Sequence, residues 1–153
     1  VSPPPYYFED LEVGMRLVTP RRTITEADIV QFAGVSGDFQ PIHTDHLFAR
    51  EIFGKPIAHG LLVLSVVTGL RTMAGWFVGT VIAFLEIRSW RFLAPVFPGD
   101  TLYSVTEILE KRPSQKPDRG VVIQKVEVFK AGEKEEKVQE GEFVTLLRRR
   151  DSR

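Results

Sequence analysis

Residues 60–70, GLLVLSVVTGL, are apolar almost all the way round a helical projection, and no other feature of the chain constrains its fold as strongly. A helix with one apolar stripe lies on a surface, whereas one that is apolar on most sides has to be enclosed. Ser65 and Thr68 interrupt the run and Arg71 ends it, well short of the roughly 20 apolar residues that a membrane span needs. Over residues 59–74 such a helix would extend about 24 Å. The rest of the chain has to wrap it.

The residues that follow are strand-like. Val81, Ala83, Leu85 and Ile87 alternate, while Ile82, Phe84, Trp90 and Phe92 fill the opposite phase, which predicts a central strand covered on both faces. Pro95, Pro98 and Gly99 break the pattern. Residues 101–109, 121–129 and 142–147 supply three more strands, with breaks at 113–120 and 131–137, giving four long strands with hairpin-like connections. Ahead of the apolar helix, residues 15–23 alternate weakly and read as a first strand. Thr25 and Asp28 can form a capping box, and Ile29, Phe32 and Ala33 continue it as a helix that should stop between Gly34 and Gly37. Residues 38–43 read as loop, because Pro41 biases Gln40 away from helix. Residues 45–52 read as a short helix. Helices and strands in separate runs indicate an α+β protein, in which four or five antiparallel strands curl around one helix. The length of 153 residues suits one domain, expected over 6–150, with a loose proline-rich segment at 1–5. A sheet of this kind leaves apolar edge or face uncovered, so a homodimer is expected.

Composition excludes several functions. Lys plus Arg (20) equals Asp plus Glu (20), so no overall field draws in nucleic acid or an anionic membrane. Any anionic ligand must be held locally; Arg88 and Arg91 are candidates, and the terminal RRRDSR, read as a solvated tail, is another. There is no cysteine, which excludes thiolate catalysis, disulfides and cysteine-bound zinc and makes the reducing cytoplasm the expected setting. The first residues, VSPPPYYFEDLEVG, have no basic run followed by an apolar one and do not read as a signal peptide.

Candidate chemistry concentrates in Ser36-Gly37-Asp38-Phe39-Gln40-Pro41-Ile42-His43 and in Ile57-Ala58-His59-Gly60. Asp38 and His43 lie on one turn that Pro41 stiffens and Gly37 relieves. A carboxylate beside an imidazole can move protons near neutral pH. Gly60 opens the buried helix, where unpaired N–H groups and the macrodipole favour an oxygen that becomes negative, and no Cβ blocks approach. Hydration of an α,β-unsaturated thioester needs these parts: a base to activate water at Cβ, an acid to protonate Cα, and donors on the carbonyl. His59 reads as a buried histidine that fixes the helix start. A metal site built from His43, Asp45, His46 and His59 is disfavoured, since zinc sites on helices prefer histidines four apart, and no metal or cofactor is expected.

SGDFQPIH, the short helix after it and FGKPIAHGLL resemble the hydratase motif of the MaoC-like dehydratases, the group that includes (R)-specific enoyl-CoA hydratases. FLAPVFPGDTL, residues 92–102, is similar to a strand-turn segment of the same group, and the likeness runs over residues 8–148. It implies a hot-dog fold, in which a curved antiparallel sheet wraps the long helix, and dimers that pair sheets edge to edge. It implies a lyase that hydrates enoyl-CoA to (R)-3-hydroxyacyl-CoA or dehydrates the product, with an acyl-CoA or acyl-carrier-bound substrate. The family's acid/base pair falls on Asp38 and His43, its oxyanion-hole amide on Gly60 and a helix hydroxyl on Thr68, with Ser36, Gly37, Pro41 and His59 as support. Position 40 is Gln where the family usually has Asn. Two other functions stay open: a thioesterase, which the same fold class hosts but which the Asp-x4-His turn disfavours, and a non-catalytic acyl-CoA-binding subunit.

Overall fold

The structure, a computed structural model, describes residues 2–150. The expected first strand is two short ones, β1 (Arg16–Val18) and β2 (Arg22–Thr23). Pro20, which cannot donate to a ladder, separates them, and Thr19 spans the gap by exchanging bonds with Ser104: its N–H donates to Ser104 O (3.0 Å), and its hydroxyl accepts from Ser104 N (2.8 Å). α1 (Glu26–Ser36) starts on the predicted capping box, with the Asp28 amide donating to Thr25 Oγ1 and the Thr25 amide to Asp28 Oδ2. It ends on Gly37 at φ +78, a left-handed position that glycine takes without strain.

The segment 38–43 is not all loop. Pro41 is the first residue of a helical turn, α2 (Pro41–Thr44), because its fixed φ is pre-set for a helix start and its missing N–H is not needed there. Gln40, just before it, is non-helical as expected (ψ 138). Asp45 then caps α3 (His46–Phe53), accepting from the Leu47 and Phe48 amides at 3.0 Å each.

α4 (Gly60–Met73) is the apolar helix. Leu62, Val63, Val66, Val67 and Leu70 are buried against residues of the sheet such as Leu102, Val126, Val138 and Phe143. One stripe (Leu61, Ser65, Thr68, Gly69 and Thr72) is exposed, so enclosure by this chain is less complete than the sequence predicts.

The sheet is antiparallel, in the order β1-β4-β5-β6-β3 with β2 also on β4, where β3 is Val81–Phe92, β4 Thr101–Pro113, β5 Arg119–Lys130 and β6 Glu136–Arg148. The last strand starts earlier than expected because its pairing with β5 continues to Lys130↔Glu136. β3 is an edge strand, not a central one. It pairs with β6 alone and leaves Val81, Ile82, Phe84, Leu85, Ile87 and Phe92 exposed. Its doubled alternation records two apolar faces, but this chain supplies too little to cover them.

The link from β3 to β4 is not a hairpin either, since those strands lie on opposite sides of the β5–β6 pair. Residues 93–100 cross between them, tied to β6 by the Leu93 amide on Val138 O (2.8 Å), to the α4 approach by the Ala58 amide on Val96 O (2.7 Å), and to the α1 approach by the Gly99 amide on Ile24 O (2.7 Å). The crossover thereby carries Phe92–Val96 to the N-terminal end of α4.

Wrapped around α4, this sheet is a hot-dog fold. A second apolar cluster, with Tyr6, Phe8, Leu11, Trp76, Ile108, Val122 and Leu147, closes one end of the sheet. Of the segment expected to be loose, residue 1 lies outside the described residues, and residues 2–5 are exposed. Among the described residues, no helix is long and apolar enough to cross a membrane.

Candidate active site

The end of α1, the α2 turn and the start of α4 converge. The Ser36 hydroxyl donates to Phe32 O (2.7 Å) and accepts from the Asp38 amide (3.1 Å), so the turn after Gly37 is anchored to α1. Asp38 Oδ1 accepts from the Gln40 amide (3.2 Å), which holds its side chain over the α2 entry without any contribution from the Gln40 side chain. The His59 Nε2–H donates to Asp38 O (2.8 Å), joining the turn to the residue that precedes α4. His59 is buried, between the rings of Phe32 (centroids 4.9 Å) and His43 (3.8 Å, near-parallel).

His43 Nδ1 lies 2.7 Å from Ile57 O. A carbonyl only accepts, so Nδ1 carries the hydrogen and the neutral ring presents its lone pair at Nε2. A carboxylate oxygen of Asp38 and one ring nitrogen each from His43 and His59 lie within 4.8 Å of one another. The other residues weighed as metal ligands are elsewhere: Asp45 caps α3, and His46 pairs with Glu26 on the surface (2.7 Å).

A cavity of about 430 Å³ opens beside His43, lined by Gly60, Val63, Phe92, Ala94 and Gln139 among others. The N–H groups of Gly60 and Leu61 precede the first α4 bond, from the Val63 amide to His59 O (3.2 Å), and stay free for a ligand. A Cβ at Gly60 would sit 2.6 Å from the Phe92 ring, so only glycine fits the helix start to this wall. His43 also borders a second cavity, of about 420 Å³, with Phe39, Ile29 and Lys55.

Two residues here have no signal in the sequence. The Gln139 amide donates to Gly60 O (3.1 Å), and the Trp90 indole N–H donates to Gln139 Oε1 (2.9 Å), so β6 and β3 together fix the helix start. The approach of Trp90 requires Gly141, where a Cβ would meet Trp90 Cε3 at 2.6 Å. Thr68 does not join this cluster within the chain. Its hydroxyl donates to Ser65 O (2.6 Å), and it lines a separate cavity further along α4. Arg88 pairs with Glu86 of its own strand (2.9 Å). Of RRRDSR, residues 151–153 lie outside the described residues; the Arg150 guanidinium pairs with Asp10.

A curved antiparallel sheet around one helix, with a carboxylate and imidazoles at that helix's free N-terminus, defines a hot-dog protein with a polar site at its helix start. The sequence model of the MaoC like domain matches residues 10–130, and the chain belongs to the MaoC-like family. It is 48% identical over 97 residues to Protein MaoC of Klebsiella aerogenes, covering 63% of this chain but 28% of that protein, so it spans little more than a quarter of that relative's length. It is 37% identical over 117 residues to a 3-hydroxybutyryl-CoA dehydratase of Methylorubrum extorquens, covering 74% and 70% of the two chains. A solved structure described as a monoamine oxidase regulatory protein, from Archaeoglobus, superposes with a TM-score of 0.85 at 41% identity over 96% of this chain and 97% of its own.

Proposed function

We propose that this protein is a lyase that adds water to an enoyl-CoA to give the (R)-3-hydroxyacyl-CoA, and that it catalyses the reverse dehydration. The observation that carries this reading is the meeting of Asp38 and His43, within 4.8 Å, beside an apolar cavity that also opens on Gly60 at the start of α4. The name of the Methylorubrum relative, a dehydratase of a hydroxyacyl-CoA, supports the same chemistry.

In this mechanism the thioester carbonyl oxygen accepts from the Gly60 amide, where the helix macrodipole adds to the hydrogen bond. Water sits between the Asp38 carboxylate and His43 Nε2. As its oxygen adds to Cβ, one of its protons moves to Nε2, and the electron pair of the double bond passes to the carbonyl oxygen as an enolate. Asp38 orients the water and favours the imidazolium that forms. The proton on Nε2 then passes to Cα, and the carbonyl is restored. Water is consumed, nothing is oxidised or reduced, and no cofactor enters the balance.

We also propose that the protein works as a homodimer in the cytoplasm. The exposed apolar residues of β3 lie on an open sheet edge, and an edge strand can pair antiparallel with its own copy about a two-fold axis. The absence of cysteine fits a reducing compartment.

Crotonyl-CoA tests the reaction. Loss of enoyl absorbance without release of thiol is the expected result. Release of CoA thiol would make the protein a thioesterase, and binding with neither change would make it a non-catalytic subunit; either would overturn the reading.

A further inference from the structure

Arg71, in the last turn of α4, is 6% exposed, and no carboxylate lies within 4.0 Å of it among the described residues. Its guanidinium donates to two neutral acceptors, Thr106 Oγ1 (2.6 Å) and Gln124 Oε1. The rings of Trp76, Phe77 and Phe143 pack around it, with centroids 5.0 to 5.5 Å from Cζ. Burial lowers its pKa to about 9, which leaves it cationic at neutral pH. A buried cation without a counter-ion is costly; ring faces and the helix C-terminus offset part of that cost.

The same guanidinium borders a cavity of about 140 Å³ with Thr68, Thr72, Phe84, Phe143 and Thr145. Thr145 accepts from the Gln124 amide (2.7 Å), which aims Gln124 Oε1 at Arg71 and leaves the Thr145 hydroxyl hydrogen for another acceptor. A guanidinium has five N–H donors, and two are used on neutral side chains. Three N–H groups of Arg71 remain beyond these two bonds, and the charge beside this cavity is positive.

A run of side-chain contacts links this cavity to the candidate active site. Gln139 lines the first cavity, Trp90 donates to Gln139 (2.9 Å), and Trp90 stacks on Phe143 (5.4 Å), which lines the second. Along α4, Thr68 lies about 12 Å and Arg71 about 16 Å beyond Gly60.

We propose that the Arg71 cavity receives a carboxylate at the far end of the acyl chain, so that the substrate class is an enoyl thioester of a dicarboxylic acid. This rests on the thioester-hydration reading and names its substrate. A planar carboxylate matches the guanidinium fork, and Thr145 supplies a further donor.

The test compares octenoyl-CoA with octenedioyl-CoA, its ω-carboxylated counterpart, and repeats the pair at ten and twelve carbons, lengths that approach the roughly 12 to 16 Å between Gly60 and the Arg71 end of α4. At one or more lengths the wild type is expected to favour the carboxylated substrate in kcat/KM, and Arg71→Met to lower that preference at least about 10-fold. Arg71→Lys, which keeps the charge but loses the fork, should fall between. A wild type that prefers methyl-ended chains at every length, or a folded Arg71→Met with an unchanged ratio, would overturn the proposal. A second arm needs no turnover. Glutarate alone should raise the melting temperature of the wild type, that of Arg71→Lys by less, and that of Arg71→Met not at all. No turnover of any thioester together with a glutarate shift dependent on Arg71 would overturn hydration but leave the anion site standing. Turnover without any carboxylate preference and without a glutarate shift would do the reverse.

Discussion

The two ends of α4 present positive charge by different means. At Gly60 the donors are backbone N–H groups, beside the Asp38 carboxylate and two histidines hydrogen-bonded to carbonyls, so what they offer an incoming oxygen is partial charge. At Arg71 a full charge is buried among rings. Partial charge from fixed dipoles suits an oxygen that becomes negative only as a reaction proceeds. A permanent buried cation suits an anion that is present from the start. On the proposed reading, the contrast separates a place for chemistry from a place for recognition on a single helix.

Changes at the Gly60 end should therefore act on turnover, and the largest effect is expected there. His43→Ala and Asp38→Asn should each lower kcat for crotonyl-CoA by about 100- to 10,000-fold with the fold retained by circular dichroism. A near-wild-type rate in either would remove that residue from the mechanism. Gly60→Val should cost on the order of 100-fold in kcat/KM, because its side chain meets the Phe92 ring and crowds the amide; unchanged kinetics would relocate the carbonyl.

β3 sharpens the distinction, since Val81 and Phe84 border the Arg71 cavity whereas only its last residue, Phe92, reaches the first. Leu85→Lys with Ile87→Lys should shift the protein from dimer to monomer in sedimentation, weakening association at least about 10-fold. A wild type that already sediments as a monomer would refute the dimer.

The smallest effect belongs to the capping box of α1, whose Thr25 and Asp28 line neither the Gly60 cavity nor the Arg71 cavity. Thr25→Ala should cost about 1 kcal/mol in denaturant unfolding. Burial raises the pKa of Asp28, but bonds to Thr25 and the Arg22 guanidinium outweigh it, and the net shift is downward. That stabilisation is present above the ordinary carboxylate range and is lost as pH falls through the lowered value. Asp28→Asn should flatten the acid limb of stability against pH, and an unaltered limb would contradict this account.

Much of the fold was legible in local chemistry. The capping box at Thr25, the glycine stop at Gly37 and the apolar helix are all written within a few residues of where they act. The turn holding Asp38 and His43 was legible in part: Pro41 keeps Gln40 out of helix as expected, but it also starts α2, where the local pattern reads as loop. Pairing order was not, because alternation reports which faces are apolar and not what covers them; β3 carries the pattern of a central strand yet lies at the edge. Gln139 reaches Gly60 from 79 residues away, Trp90 reaches Gln139 at an irregularity of the β3–β6 ladder beside Gly141, and Arg71 finds Thr106 and Gln124 at separations of 35 and 53 residues. No local spacing encodes contacts of that kind.

The most direct test is a crystal structure of the His43→Ala variant with crotonyl-CoA bound. The account predicts the thioester oxygen about 3 Å from the Gly60 amide nitrogen, with Cβ turned toward the Asp38 carboxylate. A thioester seated away from the start of α4, or with Cβ facing away from Asp38, would contradict it.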